Sequence, residues 1–453
     1  MTAATAWAEA MRYEHRADPY PFFDQLRRTP VARVAEDQYV VTGYWEVLAL
    51  THDPRVSSDI GRSPLGAALA VGPGPESGTR DGPVYDQVPS IIVTDPPEHD
   101  RARRQVMRHF GPPHAPDVIP GTEPGIVRLC NDLLDGIAAG GRNRMDVVDD
   151  YAYPVPVTVI CGILGIPIAD EPTFHVWIHD MLTGTDLGPD ASTAEGEVRA
   201  EKARAGRVAL TRYLTDLIEH LRREPRPGLL SAMIHDDGPD GPMPLERVLS
   251  NARLLLVAGH DSTVNTISHC VLTLLRNPGA YELVRSRPEL IPRAVEEVQR
   301  LQAAVQFFPS RSATADIDIA GTTIPKGAAV HLVYAAANRD PKRFADPDRF
   351  DIQRPDNEHF GWGSGIHTCI GGPLARLEVD LALETFVRRV AAPGLVVDPP
   401  PYRRSQIFRG PRHLLVHFDH IAGRDDPDSF RSESPTGRSA AFATGVPGRS
   451  RQC

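Results

Sequence analysis

Residues His359–Glu378 read HFGWGSGIHTCIGGPLARLE, a cysteine among closely spaced glycines, followed by a helical pattern from Leu374 to Phe386. Glycine permits positive φ and close backbone approach, so Cys369 is predicted in a tight loop able to lie against a flat cofactor. Its sulfur would precede a helix N-terminus, where the helix dipole and free N–H groups favour thiolate over thiol. A thiolate bound to iron pushes electron density toward dioxygen. The plainer reading, a structural cysteine in a turn, is the expectation for Cys130, Cys161 and Cys270.

A second stretch complements the first. Arg253–Leu275, RLLLVAGHDSTVNTISHCVLTLL, is predicted as a long apolar helix interrupted at Ala258-Gly259-His260-Asp261-Ser262-Thr263. Small and polar residues inside a buried helix cost stability unless paired, so such a break points to function. The break predicts a widened turn in which Ala258 and Gly259 leave room for dioxygen. Asp261, Ser262 and Thr263 would then organise water for proton delivery. The alternative is a solvated kink.

The cysteine segment resembles the haem-binding loop of cytochrome P450. That family places an aromatic residue, usually Phe, seven positions before the cysteine, glycines six and four before, a basic residue two before and glycine two after. Here those positions hold Trp362, Gly363, Gly365, His367 and Gly371. Trp362 departs from Phe, and its indole N–H is expected to reach the sulfur. In the oxygen-side helix Asp261 matches the acidic position, and Ser262 stands where Thr is usual.

Further positions follow from the resemblance. Glu297 and Arg300, three apart in AVEEVQRL, would form a structural triad with Arg349 of the Pro347-Asp348-Arg349-Phe350 segment. Alone, such a pair is an ordinary surface contact. His99, Arg103, Arg311 and His367 would meet the haem propionates, which need cationic or hydrogen-bonding partners. The substrate-facing segments would contribute Val257, Val305, Phe307, Phe308, Ile407 and Phe408, with the stretches 84–93 and 181–187, to an apolar, partly aromatic pocket.

The rest of the chain sets bounds. A formal charge of −10 over 453 residues argues against general nucleic-acid binding, and five scattered cysteines without a CxxC pair argue against a disulfide framework. Arg101, Arg104 and Arg108 recur at helical spacing as a local basic patch, either an ordinary solvated face or a surface steering an acidic ferredoxin. Val31–Thr42 reads as a strand pair turning near Glu36-Asp37, with further β segments at Ile317–Ile324 and Ala328–Val333. Gly61–Pro89 reads as a long Gly/Pro loop. The N-terminus shows no apolar run of anchor or signal length, so a soluble cytoplasmic protein is expected.

The expected architecture is mainly α with a smaller β part. It is a P450 fold with haem b between a long oxygen-side helix and a proximal cysteine loop. Residues 1–17 would be an extension, 18–420 one haem domain and 421–453 a disordered tail. The implied activity is monooxygenation of a small apolar compound, most readily hydroxylation of a secondary metabolite. Electrons would come from NAD(P)H through a separate reductase and ferredoxin. A peroxide-driven peroxygenase, an oxidative-coupling enzyme and a non-enzymatic haem sensor are the alternatives.

Overall fold

The computed structural model describes residues 1–59, 62, 88–184 and 193–424. Most of the glycine-rich loop, part of the 181–187 stretch and the tail beyond 424 lie outside them. The helices are α1 Ala3–Met11, α2 Tyr20–Arg27, α3 Tyr44–Thr51, α4 Glu98–Phe110, α5 Glu123–Ala139, α6 Pro154–Leu164 and α7 Glu171–Thr183. They continue with α8 Ala194–Arg223, α9 Leu229–Ile234, α10 Leu245–Arg276, α11 Pro278–Ser286, α12 Ile291–Gln302, α13 Tyr334–Ala337 and α14 Gly372–Arg389. Helix predominates, with the smaller β part expected.

α10 organises the molecule. Its 32 residues span about 48 Å at 1.5 Å per residue. Val248, Leu249, Ala252, Leu255 and Leu256 enter one hydrophobic core with α4, α6, α8 and α9. Val264, Ile267, Val271, Leu272 and Leu274 enter a second core with α5, α12 and α14. A helix apolar on nearly every side has to be buried. The small and polar residues 258–263 sit where one core gives way to the other.

The strands are β1 Val31–Ala35, β2 Gln38–Val41, β3 Val56–Ser57, β4 Arg144–Asp146, β5 Phe308–Ala313, β6 Ile317–Ile319, β7 Thr322–Ile324, β8 Ala329–Leu332, β9 Val390–Ala391, β10 Gly394–Leu395, β11 Leu415–His417 and β12 His420–Ile421. The main sheet has the order β1-β2-β8-β5-β3. β2 runs parallel to β8, Val40 opposite His331, while β5 is antiparallel to β8, Arg311 opposite Val330. That pairing brings Phe308 and Arg311, distant in sequence from α10, to the same interior.

The segment before Asp18, expected as an extension, is tied into this unit. Ala6, Ala10 and Met11 of α1 are buried with residues of α2 and the sheet, and Trp7 stacks on His331 at 5.6 Å. Among the described residues, Val147–Leu164 is the one helical run apolar and long enough to cross a membrane. Its Val147, Val148, Val155, Ile160 and Leu164 are instead buried in the two cores.

Candidate active site

The Cys369 loop is shaped by its glycines and closed by its neighbours. Gly363 and Gly365 have φ of +70° and +67°, the region where a side chain is strained, and a Cβ on Gly365 would lie 2.8 Å from the Thr51 carbonyl oxygen. The Cys369 N–H donates to the Trp362 carbonyl at 2.9 Å. From α4, Arg103 donates to the carbonyls of Ile366 and Thr368 at 3.0 and 2.9 Å. Pro373 lies in the first turn of α14 just beyond, where its missing N–H costs nothing.

The sulfur borders a cavity of about 1660 Å³, its solvent mouth included. Cys369 has accessible surface, but that surface faces the cavity rather than the outside. Burial pushes its thiol pKa up, opposed by the N–H groups of Gly371 and Gly372 and by the charges of Arg376 and Arg103. The helix N-terminus therefore favours the thiolate, as expected, but without a metal burial outweighs it. A bound cation reverses that balance.

One side of the cavity gathers His99, Arg103, Arg311 and His367. The Nε2 of His99 and the Nη1 of Arg311 are buried without a protein partner. His99 and His367 lie edge to face, 4.5 Å between ring centroids. Burial, then the charges of Arg311, His99 and Arg103, drive the His367 pKa down to about 3. A buried guanidinium N–H without a partner, with a second arginine beside it, calls for an anion. The two carboxylates of a haem, with a cysteine on the same wall and apolar walls around the ring, fit these residues.

Opposite in sequence, α10 lines the cavity with Val257, Ala258, Gly259, Ser262, Thr263 and Thr266. The expected widened turn is instead uninterrupted α-helix. Its hydroxyls satisfy themselves on carbonyls one turn back: Ser262 Oγ on Ala258 at 3.0 Å, Thr263 Oγ1 on Gly259 at 3.4 Å and Thr266 Oγ1 on Ser262 at 2.8 Å. Gly259 is small for a second reason, since a Cβ there would meet Ile160 of α6 at 2.8 Å. Asp261 is buried but not on the cavity wall. Arg403 holds its Oδ1 at 3.2 Å, and Asn265 approaches its Oδ2 at 3.4 Å.

Several expectations need correction. Arg349 is exposed and pairs with Asp351, whereas Glu297 pairs with Arg300 at 2.8 Å and with the buried Arg354 at 3.2 Å. Arg349 offers only its backbone carbonyl to Arg300. The triad is Glu297–Arg300–Arg354, because the chain turns back between Phe350 and Arg354 to bring the later arginine inward. The Trp362 N–H does not reach the sulfur; it donates to Glu296 at 3.1 and 3.3 Å.

In the pocket, Val257, Val305, Phe308 and Phe408 line the cavity. Phe307 and Ile407 do not. Alternation along the strand turns Phe307 to the opposite face, against Trp7 and the α1 core, where Ile407 also packs. The basic patch is largely offset: Arg104 pairs with Asp240 at 2.9 Å, Arg108 with Asp236 at 3.1 Å, and Arg101 donates to the Asp240 carbonyl at 2.7 Å.

The cavity also holds residues that the sequence did not single out. Glu378 of α14 lines it, fully buried, with neither carboxylate oxygen partnered; burial raises its pKa well above the ordinary value. An acid in the apolar run after Cys369 was the available signal. Ile91 and Ile92 close another wall.

Comparison with known proteins supplies an independent reading. A cytochrome P450 family model matches residues 284–412. The 6-deoxyerythronolide B hydroxylase of Saccharopolyspora erythraea is 33% identical over 418 residues, covering 89% of this chain and 96% of the relative. The mycinamicin IV hydroxylase/epoxidase of Micromonospora griseorubida is 35% identical over 405 residues, covering 87% and 94%. The crystal structure of ligand-free CYP164A2 from Mycobacterium smegmatis superposes with a TM-score of 0.80 at 31% identity, covering 91% of this chain and all of that one.

Proposed function

The chain belongs to the cytochrome P450 family of monooxygenases, and from that premise we propose that it hydroxylates a small apolar secondary metabolite, with Cys369 as the ligand of its haem. Haem with a cysteine thiolate is the cofactor of this family, and when bound it supplies the activation of dioxygen. Electrons pass from NAD(P)H through a separate reductase and ferredoxin, in the cytoplasm. The supporting observation is a single cavity bordered by the Cys369 sulfur, by the unpartnered Nη1 donor of Arg311 and the unpartnered Nε2 of His99, and by Ser262. Two relatives named as hydroxylases of 6-deoxyerythronolide B and mycinamicin IV support the substrate class.

The residues divide the work. His99, Arg103, Arg311 and His367 hold the propionates, and the N–H groups of Gly371 and Gly372 hold negative charge on the sulfur. Val257, Val305, Phe308 and Phe408 bind the apolar substrate and exclude water. Ser262 passes a proton into the cavity. When the Arg403 ion pair opens, the Asp261 carboxylate takes up a proton from water and passes it toward Ser262.

One observation favours a second reading. With Asp261 withdrawn toward Arg403, a peroxide-driven reaction needs less proton delivery than one starting from dioxygen. The test is turnover of purified haem protein with ferredoxin, reductase and NAD(P)H, against turnover with peroxide alone. Product only with peroxide selects the peroxygenase. For the ligand, Cys369→Ser is expected to abolish the thiolate signature of the reduced, carbon-monoxide-bound protein; retention of that signature sinks the assignment.

A further inference from the structure

Trp362 stands seven residues before Cys369, and its N–H is committed elsewhere, to the Glu296 carboxylate of α12 at 3.1 Å. The same carboxylate accepts from Arg376 Nε at 2.7 Å and from His359 Nε2 at 3.1 Å. Gly361 donates its N–H to His359 Nδ1 at 3.0 Å, so the proton of this imidazole sits on Nε2, facing Glu296. Arg376 follows Cys369 by seven residues, and its guanidinium lies over the Trp362 ring, 4.4 Å from the centroid. One carboxylate thus fastens side chains from both flanks of the cysteine loop.

Although burial pushes the Glu296 carboxyl up, the bonds from His359 and Arg376 hold it down at about 2, so it is a standing negative charge. Arg376 is among the groups that favour negative charge on the Cys369 sulfur. Groups outside the direct ligands tune a metal through its ligand atoms. An unopposed cation beside the thiolate draws electron density from it and eases reduction of the iron. A cation already paired does so less.

We infer that Glu296 is a positioning residue that keeps the reduction potential of the Cys369-ligated haem low. It offsets the charge of Arg376 and holds the indole N–H of Trp362 away from the sulfur. This rests on the haem reading above.

The test is a redox titration of the full-length haem protein. Glu296→Gln keeps the size and one acceptor but removes the charge. Its midpoint potential is expected to rise by about a tenfold change in the ferrous-to-ferric ratio, about 59 mV for one electron. Arg376→Gln, on a partly exposed side chain, is expected to lower it. The double variant, neutral at both positions, is expected to return toward the wild-type value, which general loosening of the loop would not do.

Unchanged potentials in both single variants, or shifts of the same sign, overturn the inference. If Glu296→Gln takes up no haem, the Arg376→Gln arm decides alone: a fall supports the inference and no fall overturns it. Wild-type protein that takes up no haem, or lacks the thiolate spectrum, overturns the underlying reading instead.

Discussion

A hydroxyl inside a helix has a ready partner in the carbonyl one turn back, and Ser262 uses it, with Oγ 3.0 Å from the Ala258 oxygen. Serine lacks the methyl that restricts threonine, so this hydroxyl turns toward the cavity at little cost. Ser262→Ala is expected to lower the ratio of product to peroxide by about tenfold or more, within the reach of one proton-transfer group. An unchanged product yield per NAD(P)H removes the relay role.

Glu378 makes a second test at this scale. Its folded-state pKa is raised, so burial is tolerated while the acid is neutral, and stability falls as pH rises from the ordinary carboxylate range toward the shifted value. Glu378→Gln does not titrate. Its stability advantage over wild type should therefore grow with pH above about 4.3, by up to about 1.4 kcal/mol per unit. Chemical denaturation of the haem-bound proteins across pH reads this directly. A gap that is flat with pH means Glu378 is ionised or hydrated in the folded state.

At the scale of elements, the cysteine loop is held from behind by a buried ionic network. Glu297, Arg300 and Arg354 join α12 to the segment following α13, with Arg300 also donating to the carbonyls of Asn338 and Pro347 at 2.9 and 2.7 Å. Removing one member of a buried pair leaves a charge unmatched and costs about 3–5 kcal/mol. Arg354→Ala is expected to fall in that range, with loss of haem on mild heating. Arg349→Ala should stay within about 0.5 kcal/mol, as an exposed pair does. Equal effects would restore Arg349 to the triad. The family resemblance located Glu297 and Arg300, but choosing between two nearby arginines requires the turn that carries one inward.

At the scale of the whole molecule, charge placement bears on how electrons arrive. The helical spacing of Arg101, Arg104 and Arg108 was legible, but the Asp236–Asp240 loop that answers them comes from far along the chain. Paired charges leave a weak field, further screened within about 10 Å at ordinary salt. Reversing Arg104 is therefore expected to change the rate of haem reduction by ferredoxin less than about twofold. Stopped-flow reduction at two ionic strengths measures it, and a large, salt-sensitive loss would return this face to the docking surface.

The chemistry-bearing segments are legible in the residues alone. Glycine spacing around Cys369 and the small, polar break in an apolar helix are local signals, written in residue types whose backbone or burial requirements are unusual. The apolar character of Val257, Val305, Phe308 and Phe408 was equally legible. What each side chain faces depends on the folded chain. It turned Phe307 to the sheet's other side, drew Asp261 to Arg403, set Arg354 in place of Arg349, and gave the Trp362 N–H to Glu296. Those outcomes depend on contacts between segments tens to hundreds of residues apart, which local pattern does not encode.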